Sequence, residues 1–144
     1  AAWNDPAKGS ELAKSQFDRG ADVVYAAAGG TGTGVYQAAA DSGMLAIGVD
    51  SNQNYLHPGT MLTSMLKRVD LATYQTFMDV KSGNFTSGVK VLGLAEGGVG
   101  WAFDEYNEAM ITEVMKSTIN GLSDKVTSGA IKVHDYMSDN NCPS

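Results

Sequence analysis

Seven consecutive residues concentrate the chemistry this chain can offer: Ala28-Gly29-Gly30-Thr31-Gly32-Thr33-Gly34. Four glycines and two threonines ahead of a helix leave backbone amides uncovered at the positive end of the helix dipole. A polar or anionic group can dock there. Asp50 stands twenty residues beyond Gly30 and Lys67 a further seventeen. A carboxylate at Asp50 can accept two hydrogen bonds from adjacent ribose hydroxyls, and the Lys67 ammonium can donate to a sugar or a base acceptor. Catalytic groups are scarce. His57 and His134 lie far apart, Cys142 pairs with neither, and no metal-ligand spacing such as HxxxH occurs, so neither a catalytic residue nor a metal site is expected.

The surrounding pattern supplies the elements that hold these residues. Asp5-Pro6 reads as N-cap and first position of a helix running to about Arg19, with Leu12, Ala13 and Phe17 on one face and Gly20 as the stop. A strand from Asp22 to Ala28 then leads into the glycine loop and a helix from about Gly32 to Ser42. A second apolar strand, Met44 to Val49, ends at Asp50. Strand, helix and strand within so short a span make a βαβ unit, and apolar runs without alternation predict a parallel sheet covered on both faces. A polar loop from Ser51 to Thr60 precedes a third strand, Met61 to Leu66, which delivers Lys67. Beyond it the pattern predicts a helix over 68–81, a pair of short strands or a hairpin at Val89–Leu94 and Val99–Phe103, a helix over 107–122, a short strand at 131–133, and a frayed tail over 138–144.

The loop by itself admits three readings. Asp50 has the spacing of the acidic residue in a dinucleotide-binding fold, but no third glycine falls in the GxGxxG register. Gly29 to Gly34 also looks like the GGTGTG phosphate loop of tubulin-like GTPases, without the other nucleotide elements of those proteins. The third reading is a tight strand-to-helix turn whose glycines serve backbone geometry alone. The first two make the chain a nucleotide-dependent enzyme domain using NAD or GTP.

Composition narrows the field. The chain has 144 residues, a hydrophobic fraction of 43% and a net charge of −6. That length is enough for one domain with a real core. Its ten dispersed cations are outnumbered by sixteen carboxylates, which argues against a nucleic-acid partner.

Read together, the motifs carry a fuller resemblance. Trp3-Asn4-Asp5-Pro6-Ala7-Lys8-Gly9, Gly20-Ala21-Asp22-Val23-Val24, Ala27-Ala28-Gly29-Gly30-Thr31-Gly32, Ala46-Ile47-Gly48-Val49-Asp50-Ser51, Leu62-Thr63-Ser64-Met65-Leu66-Lys67-Arg68-Val69-Asp70 and Gly97-Gly98-Val99-Gly100 occur in that order. From Trp3 to about Val133 the chain resembles the C-terminal part of the basic membrane protein family of ABC-transporter substrate-binding lipoproteins, which includes purine nucleoside receptors.

The resemblance implies an α/β fold with a parallel-sheet αβα sandwich. It would be part of a type I periplasmic binding protein, mainly one lobe plus a crossover segment over 1–137, with a flexible tail over 138–144. Further implications are a non-enzymatic solute-binding component of an ABC importer, extracytoplasmic and membrane-anchored, that binds a nucleoside-like ligand between two lobes. The anchor and the first lobe's opening strands would lie upstream of Ala1. Partners would be the transporter permease and either the missing N-terminal half or a second copy. No cofactor is implied. The ligand-binding residues would be Trp3, stacking on a base, with Gly30, Thr31 and Gly32 offering amides and a hydroxyl, and Asp50 and Lys67, whose family counterpart lies in the cleft. Arg68 is expected to be solvated or paired with Asp70.

Overall fold

The computed structural model describes residues 3–142 and divides into two compact units, one to Thr112 and one from Glu113. In the first, α1 (Pro6–Asp18) starts where the Asp5 carboxylate accepts the Lys8 N–H at 3.0 Å and Pro6 needs no donor. Strands β1 (Val23–Tyr25), β2 (Leu45–Gly48) and β3 (Met61–Lys67) pair in parallel in that order, and β4 (Val99–Trp101) joins the far edge antiparallel to β3. Between β1 and β2 runs α2 (Gly32–Ser42), closed by Gly43 in the left-handed conformation at φ 64°. The expected α/β, largely parallel architecture is therefore present.

Helices α1 and α2 pack on one face of the sheet, where Ala13, Phe17, Val24, Tyr36, Ala39 and Ala46 form the core. Two glycines make that packing possible. A Cβ on Gly34 would overlap the Pro6 carbonyl, and one on Gly9 would overlap the Thr31 carbonyl, so the two helices meet backbone to backbone. Burial on both faces was expected for these strands, yet Val23, Leu45 and Ile47 are half-buried and Tyr25 is exposed. Among the described residues of the first unit, the second face lacks the helical cover that α1 and α2 give the first.

Further differences follow along the chain. Helix α3 (Val69–Ser82) matches its expected span, and Arg68 bonds Asp70 at 2.8 Å. Residues 89–94 form no strand. The Glu96 carboxylate accepts the Gly93 N–H, the Gly98 N–H returns to the Gly93 carbonyl, and Gly98 lies against Leu92, so this segment is spent on a turn. Strand β4 accordingly pairs with β3, placing Trp101 opposite Met65 and Val99 opposite Lys67. Residues 105–110 form turns rather than helix, and the Asn107 side-chain amide ties them to the sheet by donating to the Leu62 and Ala102 carbonyls.

In the second unit, α4 (Glu113–Thr127) starts six residues later than expected. The strand at 131–133 is absent, and a helical turn, α5 (Tyr136–Asp139), lies where the tail was expected to begin.

Candidate functional site

Three parallel strands put their C-terminal ends along one edge of the sheet, and the residues singled out by spacing meet there. Lys67, at the end of β3, reaches Asp50, just past β2, with Nζ to Oδ1 at 2.7 Å; its own N–H donates to the Asp50 carbonyl at 2.8 Å. The Asp50 hydrogen bond and charge raise the Lys67 pKa above its ordinary value, and the nearby Tyr25 phenol adds to the shift. Both side chains are about half exposed, 58% for Lys67 and 52% for Asp50. An exposed pair of this kind stabilises a fold by about 0–1 kcal/mol, so a ligand can open it at little cost.

The Asp50 backbone is unusual. Its φ is 71°, and the Ser51 N–H closes back onto the Val49 carbonyl at 2.9 Å, making a three-residue turn of the rarer hand with Asp50 at its centre. A non-glycine residue held there costs about 1–3 kcal/mol, and such outliers gather at ligand-holding sites.

The glycine loop is less open than the sequence suggests. Gly29–Thr31 makes one 3₁₀ turn that runs straight into α2. The Thr31 N–H donates to the Trp3 and Ala28 carbonyls, its hydroxyl accepts the Asp5 N–H at 2.9 Å, and the residue is buried. The Gly32 N–H turns to the Gly29 and Gly30 carbonyls, and a Cβ on Gly32 would press on the Tyr36 hydroxyl. The Thr31 N–H and hydroxyl and the Gly32 N–H thus bond within the loop and to the N-terminal segment. Among the described residues, the Gly29 and Gly30 N–H groups have no acceptor. Trp3, 67% exposed, stands against Gly29, so one aromatic face is open beside those two amides.

Spacing did not reveal what lies behind this edge. The Gln53 side-chain oxygen accepts the Tyr36 hydroxyl at 2.8 Å and the Val49 N–H at 3.0 Å, while the Gln53 N–H donates to the Ser64 hydroxyl at 3.0 Å. Ser64 donates to Asn54, and the Asn54 and Asn52 amides donate to Asp104. Asn107 completes the chain by accepting the Asp104 N–H. Burial pushes the Asp104 carboxyl upward, but hydrogen bonds from Asn52, Tyr106, Asn54 and Asn107 outweigh it and hold the group below its ordinary value. Burial chiefly, then the Asp50 charge, raises the Tyr36 phenol. Among the described residues no buried side-chain polar atom lacks a partner. The run Asn52-Gln53-Asn54 was the available signal, but it reads equally as an ordinary polar loop.

Among the described residues no cluster of His, Cys, Asp and Glu fits a metal ion, and no helix is long and apolar enough to cross a membrane. The strand-end edge thus carries a paired carboxylate and ammonium, and the glycine loop carries the exposed Gly29 and Gly30 with Trp3 against Gly29.

Comparison with known proteins places this edge in context. The family model described as ABC transporter substrate-binding protein, PnrA-like, matches residues 1–136. Basic membrane protein D of Borreliella burgdorferi is 32% identical over 144 residues, covering 96% of this chain and 42% of the relative. The ABC transporter nucleoside-binding protein BmpA of Lactococcus lactis is 31% identical, covering 88% of this chain and 41% of that protein. The crystal structure of an ABC transporter solute-binding protein from Aeropyrum pernix superposes with a TM-score of 0.79 at 27% identity, over 96% of this chain and 48% of that one. The chain thus spans about two fifths of the length of these curated relatives.

Proposed function

The chain belongs to the PnrA-like family of ABC transporter substrate-binding proteins, and from that premise we propose that it contributes one wall of a nucleoside-binding cleft in the solute-binding component of an importer. The observation that carries this reading is the Asp50–Lys67 pair at adjacent parallel strand ends, the edge where open α/β sheets hold their ligands. The description of the Lactococcus lactis relative as nucleoside-binding supports the choice of ligand class.

In this reading a purine nucleoside lays its ribose on Asp50, whose carboxylate accepts from two adjacent hydroxyls, while Lys67, released from the pair, donates to the sugar or to a base acceptor. The Gly29 and Gly30 amides face an acceptor of the ligand, and Trp3 stacks on the base. Stacking adds about 0.5–1.5 kcal/mol beyond the area buried. The remaining contacts come from a second lobe, and closure of the two lobes on the ligand stabilises the state that a permease recognises. The ligand leaves unchanged, since the role is capture rather than reaction. The protein works on the extracytoplasmic side of the membrane, as the lipoprotein relatives suggest.

Asp50→Asn tests the reading with little disturbance, because Asn tolerates the left-handed backbone that Asp50 adopts. Losing the charge removes a charge-assisted hydrogen bond worth about 1.5–3 kcal/mol, so adenosine affinity measured by calorimetry falls by roughly ten- to a hundredfold. Unchanged affinity would remove Asp50 from the site.

A further inference from the structure

We infer that Gln53 is the positioning residue that fixes the Asp50 turn relative to the glycine-loop wall, and so sets the carboxylate for a pair of neighbouring hydroxyls; the hydroxyl part rests on the nucleoside reading above. The geometry is specific. Asp50 sits in a three-residue turn at φ 71°, and the residue before it, Val49, gives its N–H to the Gln53 side-chain oxygen at 3.0 Å. The same oxygen takes the hydroxyl of Tyr36 at 2.8 Å, and Tyr36 is buried within α2, the helix that begins at the glycine loop. One oxygen atom therefore joins the Asp50 wall to the element that carries the other wall.

The sheet makes room for this connection. A Cβ on Gly48 would come within 3.0 Å of that oxygen and 2.6 Å of the Ser64 hydroxyl, which itself accepts the Gln53 N–H. Gly48 thus leaves β2 bare where the Gln53 amide crosses it, and Ser64 anchors the backbone of Gln53 from β3. The Asp50 carboxylate, by contrast, meets Lys67 at an exposed pair that a ligand can open. Gln53 holds the backbone, and Lys67 leaves the side chain available.

Gln53→Met keeps the length and removes the acceptor, whereas Gln53→Glu keeps an acceptor for both donors. Two readouts separate positioning from general support: the affinity ratio between adenosine and 2′,3′-dideoxyadenosine, and hydrogen exchange of the Lys67 amide, whose acceptor is the Asp50 carbonyl. Gln53→Met is expected to reduce the preference for adenosine roughly tenfold, about the share of one hydrogen bond to a charged group. Dideoxyadenosine affinity stays unchanged. Lys67 exchange accelerates by a similar factor while the Ala46 amide, bonded to the Thr60 carbonyl, keeps its rate, and Gln53→Glu restores both readouts.

The inference is overturned if Gln53→Met weakens both nucleosides alike and speeds exchange throughout the sheet, or if it leaves both the ratio and the Lys67 amide as in the unmodified chain. If the unmodified chain binds neither nucleoside, the functional reading fails. Exchange at Lys67 then decides the positioning role by itself: faster exchange in Gln53→Met upholds it and an unchanged rate overturns it.

Discussion

Asp50 and Lys67 are legible in the sequence because each follows an apolar run by one residue, and parallel strands deliver such residues to a common edge. Their ion pair has a measurable signature. The pairing raises the Lys67 pKa above 10.5, so Asp50→Asn returns it toward that value, which a lysine-selective NMR titration reads directly. Because the folded value is raised, the stabilisation is complete below 10.5 and disappears as pH rises through the higher folded value. Asp70 behaves in the opposite sense. The Arg68 hydrogen bonds hold its carboxyl at about 2, so its contribution is present above 3.8 and is lost as pH falls through about 2; Arg68→Met moves the titration back toward 3.8. Gln53, Asn54 and Ser64 were not legible. Their roles come from hydrogen bonds between β3, a loop and α2, which no local window contains.

At the scale of elements, the first three strands and first three helices were readable from caps, glycine stops and apolar runs. The later elements were not. Val89 to Leu94 has strand-forming residues, but its glycine-rich turn places Val99 against the β3 edge instead, and the Asn107 side chain is tied to the Leu62 and Ala102 carbonyls. Gly9 and Gly34, neither of them expected at the site, let α1 pack closely against the loop and α2.

Substitution distinguishes these glycine roles. Gly34→Ala should lower stability to urea by about 1–3 kcal/mol, since overlap with the Pro6 carbonyl outweighs the roughly 1 kcal/mol gain in helix propensity. Gly121→Ala, in α4, meets nothing within 4 Å and should stabilise its own unit by about 0.5–1 kcal/mol. If both changes acted in the same direction, close packing of α1 on α2 would not be what Gly34 provides.

For the whole molecule, the deciding fact is that 96% of this chain matches only 42% of Basic membrane protein D. Strand β1 stands at the edge of its sheet, Tyr25 is exposed on the face away from α1, and α3 shows Val69, Tyr74, Phe77 and Val80 at 59–70% exposure. Exposed apolar side chains gathered along one helix are often covered in assembled proteins. The 144-residue chain is therefore expected to self-associate. Sedimentation across a concentration series checks this, and a stable monomer with one cooperative unfolding transition would oppose it.

The central claim is that this edge receives a neutral nucleoside and not a phosphorylated nucleotide. Calorimetric titration of the protein with adenosine, inosine, guanosine, GTP and NAD tests it most directly. Heat of binding for at least one nucleoside and none for GTP or NAD is the predicted result; binding of GTP or NAD with no response to any nucleoside would contradict it.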